Sequence, residues 1–433
     1  MKPGARIRAA IEVLEVIAGQ HRPASTALGD WGRSHRFAGS GDRAAIGTLV
    51  FDALRHRNSF AWRMGSDAPR ALAVAAAPAA LGLTSEELVR LADGSEYGIA
   101  PLSPEEVAGL SRGVPVDAPL HIAADIPEWL AASFKEVFGD RAAEEGQALS
   151  QRAPIDLRIN SLKATREKVL RALSRFAPEA TRLSPLGVRI AAPTAGGKAP
   201  NVEADGAHGK GWFEVQDEGS QIAALIAGAS PREQVLDLCA GAGGKTLAMA
   251  AGMHNTGQVY AYDASRSQLR PIFERLKRAG ARNVQVLEAG NETALSELAG
   301  RFDLVLVDAP CTGSGTWRRR PDAKWRLKPE AVEKRVEEQR AVLQLAAPLV
   351  KPGGRLAYVT CSVLPVENSD QVGWFIEQHP QFALSPIAPR WEESIGGAMP
   401  VSAGGEQDTL LLTPALHGTD GFFIAMLERG ERD

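Results

Sequence analysis

The chain has 433 residues, 44% hydrophobic and 23% charged; at about 100–200 residues per domain this means two to four globular domains and excludes a lone small module or wholesale disorder. No run of roughly 18 apolar residues occurs, and Glu12 and Glu15 interrupt the first apolar stretch, so neither a bilayer span nor a secretory leader is expected. Three cysteines (Cys239, Cys311, Cys361) exclude a disulfide scaffold and suit a reducing cytoplasm, and a formal net charge of -3 argues, at first sight, against a nucleic-acid partner.

Resolved along the chain, that charge is an average. Residues 1–70 carry +5, 71–150 carry -9, 151–210 carry +6 and 211–433 carry -5, and local fields rather than totals steer an anionic ligand. Residues 1–148 read as a helical domain. Arg6–Ile17 and Asp42–Arg57 are amphipathic, with Ile46, Leu49, Val50 and Leu54 recurring at helical spacing. Ala71–Leu83 is low in complexity and suits a helix or a hinge. The His residues here show no metal-ligand spacing, and no metal site is expected anywhere.

Residues 149–211 change character. IDLRIN reads as a strand, Thr165–Phe176 as an amphipathic helix and GVRIAA as a second strand, which predicts a small α+β connector. A Gly/Ala/Pro/Lys-rich loop, Ala192–Gly211, then leads into a third domain, 212–433. There, short β-branched runs at 234–240, 258–263, 283–289, 302–310 and 355–362 alternate with helical patterns at Lys245–Met253, Ser265–Ala279 and Pro329–Val350. This alternation predicts a doubly wound, Rossmann-like α/β sheet whose ligands bind at the carboxyl ends of the strands.

The sharpest local signal is DLCAGAGGKT, 237–246. A strand ends, Gly241, Gly243 and Gly244 let the backbone approach a ligand, and a helix begins. Twenty residues beyond Gly243 the next strand ends in Asp263, placed to meet two ribose hydroxyls. A P-loop would need Gly where Cys239 stands, so that reading fails. A dinucleotide fold lacks its third glycine, since Thr246 occupies the position. S-adenosylmethionine, held over such a loop with its ribose on the acid, is the third reading; a plain strand–helix turn is the structural alternative.

The fourth and fifth strands end in Asp308-Ala309-Pro310-Cys311 and Thr360-Cys361-Ser362. Buried Cys is ordinarily a small hydrophobe, and Cys239 reads that way. Cys311 and Cys361 each follow an apolar strand at its open end, where a site forms. Thiols suit methylation of a pyrimidine carbon, because C5 becomes nucleophilic only after a thiolate adds at C6. Asp308 is placed to supply the proton or hydrogen bond that cytosine N3 needs. Amino-nitrogen methyltransferases carry Asn/Asp-Pro-Pro-Tyr/Phe at this point, which the chain lacks.

With these residues in place, the chain resembles the Fmu/Sun/NOL1 group of RNA 5-methylcytosine methyltransferases, and within it the bacterial small-subunit ribosomal RNA methyltransferase B branch. The segments that carry the resemblance are LRIN (157–160), VQDEGSQ (215–221), CAGAGGKT (239–246), DAPCTGSGTWRRRPDAKW (308–325), VTCSVLPVEN (359–368) and HGTDGFFIA (417–425). It implies a Rossmann-like S-adenosylmethionine methyltransferase sheet preceded by an all-helical, NusB-like RNA-binding domain, for which 41–62 is the clearest stretch. It also implies Cys361 as nucleophile, Cys311 in release of product and Asp308 against the cytosine. The cofactor would be held by Cys239, Ala240, Gly241, Ala242, Gly243, Gly244, Lys245, Asp263, Asn291 and Asp308. Asn291 stands where a cofactor-contacting Asp is common, and 71–118 matches the group poorly. The implied partner is RNA, 16S ribosomal RNA in the first place, for a cytoplasmic monomer. Transfer RNA as the target, and a noncatalytic assembly factor, are the alternatives.

The segment Trp317–Lys328 carries six Lys/Arg, one Asp and two Trp just after Cys311. Basic groups neutralise phosphates and aromatic faces stack unpaired bases, so Arg318, Arg319, Arg320, Lys324 and Trp325 are expected to contact RNA, with Arg158 extending the track. The alternative is a charged loop with its Trp tucked beneath it. The target base has to leave any stack to reach a thiolate, so a loop or flipped nucleotide is expected.

Overall fold

The computed structural model describes residues 1–193, 197 and 199–431, so the expected loop at Ala192–Gly211 lies partly outside the described residues. The chain divides into two compact units. One comprises Met1–Arg152, Ala192–Ala199 and Trp317–Leu327; the other comprises Ala153–Ala191, Pro200–Thr316 and Lys328–Asp433.

The first unit is helical. The stretch expected at Arg6–Ile17 is a helix over Pro3–Gln20, and that at 42–57 is a helix over Ser40–Arg55 followed, after His56, by a second over Arg57–Met64. The Ala-rich segment resolves as a helix, Pro69–Leu81, in which Ala71 through Ala77 are all buried. Small side chains let this helix pack on nearly every side, and it shares a core with Ile7, Leu14, Ile46, Leu49 and Val50. In the acidic part, Thr84 with Glu87 and Ser103 with Glu106 form capping boxes that start the next two helices.

The second unit holds two sheets. The smaller, in the order β2-β3-β1-β4, consists of β1 (Ile155–Ile159), β2 (Glu179–Ala180), β3 (Gly187–Ile190) and β4 (Phe213–Val215), all antiparallel. Residues 213–215, inside the expected third domain, form β4 of the small sheet: Leu157 pairs with Val215, and Phe213 joins Leu157, Val169 and Val188 in one core. The connector therefore extends past 211 and lies in the same compact unit as the large sheet.

The large sheet contains β5 (Gln234–Asp237), β6 (Gln258–Ala261), β7 (Val284–Val286), β8 (Phe302–Asp308), β9 (Val350–Thr360), β10 (Phe382–Ser385), β11 (Leu410–Leu412) and β12 (Phe422–Arg429). Its order is β10-β12-β9-β8-β5-β6-β7, with β11 on β12. The five expected strands, β5 to β9, are parallel; β12 runs antiparallel between β9 and β10. Strand β9 starts at Val350, earlier than expected, and the helix before it ends at Ala346. The helix expected over 265–279 is split by Pro271 into Arg266–Leu269 and Ile272–Ala279. Chain order reverses at β5, whose neighbours are β6 and β8, so a crevice opens at the carboxyl ends of these strands.

Candidate active site

The turn after β5 is shaped by its glycines. Gly241 and Gly243 have φ of +50° and +83°, and a Cβ on Gly243 would fall 2.5 Å from Ile272 Cγ1; a larger residue has neither the conformation nor the room. Below the turn, Asp237 is 1% exposed and accepts a hydrogen bond from Thr246 Oγ1 at 2.6 Å. Burial pushes its carboxyl up to about 7, against the hydrogen bond from Thr246.

Asp263, just past β6, is nearly buried. Its two oxygens accept from the Gly241 and Ser265 amides at 2.9 and 2.7 Å, which fixes the carboxylate against the glycine turn. Asp308, the last residue of β8, binds Lys245 Nζ at 2.7 Å. A cleft of about 460 Å³ opens here, lined by Cys239, Tyr262, Asp263, Ser265, Asp308 and Glu338 among others. Burial, followed by the nearby carboxylates Asp308, Asp237 and Asp263, raises the Cys239 thiol well above its ordinary value, so it stays a neutral lining group.

The expected cofactor residues are thus only partly assembled on the cleft. Cys239, Asp263 and Asp308 line it. Gly241, Gly243 and Gly244 form its turn, and Lys245 is spent on Asp308. Asn291 caps the helix Glu292–Ser296 through Ala294 N–H and also binds Glu288; its successor Glu292 lines the cleft instead. Sequence reasoning missed the wall formed by Glu338, Ala341, Val342 and Leu345. Their i, i+3, i+4 and i+7 spacing on the helix Pro329–Ala346 was its only signal.

The ends of β8 and β9 bring the two candidate cysteines together. Cys311 Sγ and Cys361 Sγ lie 3.3 Å apart, both half-buried. Ala309 N–H donates to Val359 O at 2.8 Å and Gly315 N–H to Cys361 O at 2.9 Å, which ties the two strand ends side by side. The Cys311 thiol is raised well above its ordinary value, first by its hydrogen bond with Cys361 and then by burial.

A group unremarked in the sequence sits behind this pair. Glu367 is fully buried and accepts from Thr312 N–H and Thr312 Oγ1 at 2.7 and 2.6 Å, and from Ser362 Oγ. Burial raises its carboxyl, opposed by these hydrogen bonds.

The expected RNA track is largely not a surface. Lys324 is 1% exposed; its Nζ donates to Arg55 O at 3.0 Å and Ser150 Oγ at 2.9 Å, and burial brings it down to about 7. Trp325 Nε1 donates to Leu54 O, and Trp317 stacks on Phe134 with ring centroids 6.0 Å apart. Arg318 is buried. Residues 317–327 thus pack as part of the helical unit, around a short helix, Pro321–Arg326. Arg158 is buried in β1, where its Nε donates to Gln216 Oε1 at 2.6 Å. The expectation of RNA contact is corrected for Arg158, Arg318, Lys324 and Trp325, whose polar groups are taken up by internal partners or buried. Arg319 and Arg320 are exposed. Among the described residues no His/Cys/Asp/Glu group is arranged to hold a metal, and no helix is long and apolar enough to cross a membrane.

The sheet order, the glycine turn and the acidic strand ends define a Rossmann-like methyltransferase fold. The crystal structure of PH0851 is similar at a TM-score of 0.72 and 27% identity, covering 99% of both chains. A methyltransferase homolog protein from Pyrococcus horikoshii is similar at a TM-score of 0.59 and 25% identity, over 72% of this chain and 97% of that one.

Two family models place the chain more narrowly. The model for 16S rRNA methyltransferase RsmB/F matches residues 224–428, and that for the RsmF/B-like ferredoxin-like domain matches 126–195. Over these residues the chain is similar to the RsmB/F methyltransferase family. Named relatives include "Probable ribosomal RNA small subunit methyltransferase B" of Synechocystis sp., 33% identical over 307 residues, and "Ribosomal RNA small subunit methyltransferase B" of Pectobacterium carotovorum, 32% identical over 304. Each match covers 70% of this chain, which spans 66% of the length of these relatives.

Proposed function

We propose that the protein is an S-adenosylmethionine-dependent RNA methyltransferase that forms 5-methylcytosine in small-subunit (16S) ribosomal RNA. The observation that carries this reading is the pair of sulfurs, Cys311 and Cys361, 3.3 Å apart at the ends of adjacent strands, with Asp308 of the same strand end lining the cleft. The cleft fits the cofactor: Asp263, read as the ribose partner, is held against the glycine turn, and the acids Asp263, Glu292 and Glu338 favour a cationic ligand. Bound there, S-adenosylmethionine supplies the methyl group.

The chain's own residues do the rest. Cys361, as thiolate, adds to cytosine C6 while the Asp308–Lys245 pair supplies a hydrogen bond to N3 from the ammonium, and the ring electrons pass to C5. After C5 has taken the methyl group, a base removes the C5 proton and the C6–S bond breaks, which restores the aromatic ring and returns the thiolate. Cys311, 3.3 Å from Cys361 on the neighbouring strand end, serves the release step. The helical unit serves as the RNA-binding, NusB-like domain, and Arg319 and Arg320 are its exposed basic residues next to the buried Trp317.

Bisulfite mapping of total RNA from cells with and without the protein tests both reaction and target. One protected cytosine in 16S RNA should disappear in the deletion and return with the wild-type gene but not with Cys361→Ala. Loss of protection in a transfer RNA instead would move the target, and full restoration by Cys361→Ala would overturn the nucleophile.

A further inference from the structure

Glu367 is a buried acid, 0% exposed, whose carboxylate partners among the described residues are a backbone N–H, two hydroxyls and one amide. Such a carboxylate costs stability and is held here by hydrogen bonds. Those bonds run to two different turns. Oε1 accepts from Thr312 N–H, the residue after Cys311, and from Gln339 Nε2 at 3.3 Å; the same Gln339 amide donates to Pro310 O at 2.9 Å. Oε2 accepts from both Thr312 Oγ1 and Ser362 Oγ, the latter the residue after Cys361. The Glu367 carbonyl in turn accepts from Tyr358 Oη of β9 at 2.6 Å, so the clamp is anchored in the sheet.

We propose that Glu367 is a positioning residue that ties the Cys311 turn to the Cys361 turn and thereby sets the two thiols at reacting distance. It deepens the cysteine reading above and rests on it, but it touches neither thiol's reaction directly. Its function is geometric: one carboxylate oxygen shared by hydroxyls from both turns fixes their separation, and a misplacement of about 1 Å at a covalent step costs roughly a hundredfold in rate.

The test uses the spacing itself. Diamide takes two electrons and two protons from a pair of thiols, which joins the sulfurs and reduces the reagent to its hydrazine. In the full-length protein the Cys311–Cys361 bond should form rapidly, followed by mass spectrometry of the linked peptides. Glu367→Ala should slow that step by about tenfold or more and lower kcat similarly, with KM for RNA within about threefold. Glu367→Gln should restore both rates to within about threefold, because its amide reaches both turns and the two hydroxyls can rotate to accept from it. A disulfide rate in Glu367→Ala within threefold of wild type would overturn the proposal, as would a Glu367→Gln rate as slow as that of Glu367→Ala. Should Glu367→Ala fail to fold, Ser362→Ala removes the hydroxyl through which the residue after Cys361 reaches Glu367; an unchanged disulfide rate there is equally refuting. The disulfide readout does not depend on turnover, so it judges Glu367 even if Cys361→Ala proves active and the nucleophile assignment falls.

Discussion

Asp237→Asn isolates the cost of the acid buried beneath the glycine turn. The carboxyl titrates near 7 in the folded chain against 3.8 as the ordinary value, a difference of about 3 pKa units, or about 4 kcal/mol. The folded value is raised, so the folded state binds the extra proton between the two. Below both values the group is neutral in either state and contributes nothing. As pH rises through about 4, the unfolded chain ionises first and stability falls, until above about 7 the full penalty applies. Asn keeps an oxygen for the 2.6 Å bond from Thr246 and cannot ionise. The stability of Asp237→Asn relative to wild type should therefore rise by about 3 kcal/mol between pH 4.5 and 8, with the other titrating groups cancelling in the difference. Denaturant unfolding of the full chain, followed by tryptophan fluorescence at a series of pH values, measures it. A difference that stays flat across that range would refute the burial argument, and a difference that falls with pH would mean that Asp237 is ionised and paired in the native state.

Two further predictions bear on the chemistry and the RNA. Cys311→Ala should accumulate a covalent RNA–protein adduct through Cys361, visible as a gel shift that survives denaturant; normal turnover with no adduct would remove Cys311 from the release step. Arg319→Gln with Arg320→Gln should weaken RNA binding uniformly across sequences and reduce the slope of log affinity against log salt by about 1–2. An unchanged slope would place the phosphates elsewhere, whereas Lys324, buried on Arg55 O and Ser150, would on substitution perturb the helical unit's stability before it touched binding.

Much of the site is local in sequence. A glycine turn announces itself because only glycine tolerates φ near +83° with Ile272 2.5 Å from the missing Cβ. Strands β5, β6, β8 and β9 are visible because their apolar residues are buried in short runs, and β7 because Val284 and Val286 flank an exposed Gln285. For the same reason Asp263, Asp308, Cys311 and Cys361 could be placed at strand ends before any coordinates. Strands β10 and β11 lie outside the strand–helix alternation and take their places from antiparallel pairing with β12. Strand β4 likewise joined the small sheet through its register with β1, a contact 58 residues apart at Leu157 and Val215.

By itself, then, the sequence determined the order of elements, the glycine turn and the two thiols at the open edge, since each depends on the period and type of a few adjacent residues. Tertiary structure decided which polar groups are spent internally. A basic, Trp-bearing stretch looks the same in sequence whether it faces solvent or a core, and only the fold shows Lys324 buried on a backbone carbonyl and Trp317 against Phe134. Only the fold, too, brings Glu367 to Thr312, 55 residues away. A hydrogen-bond partner is defined by distance and direction in space, and neither is written in the spacing of residues along the chain.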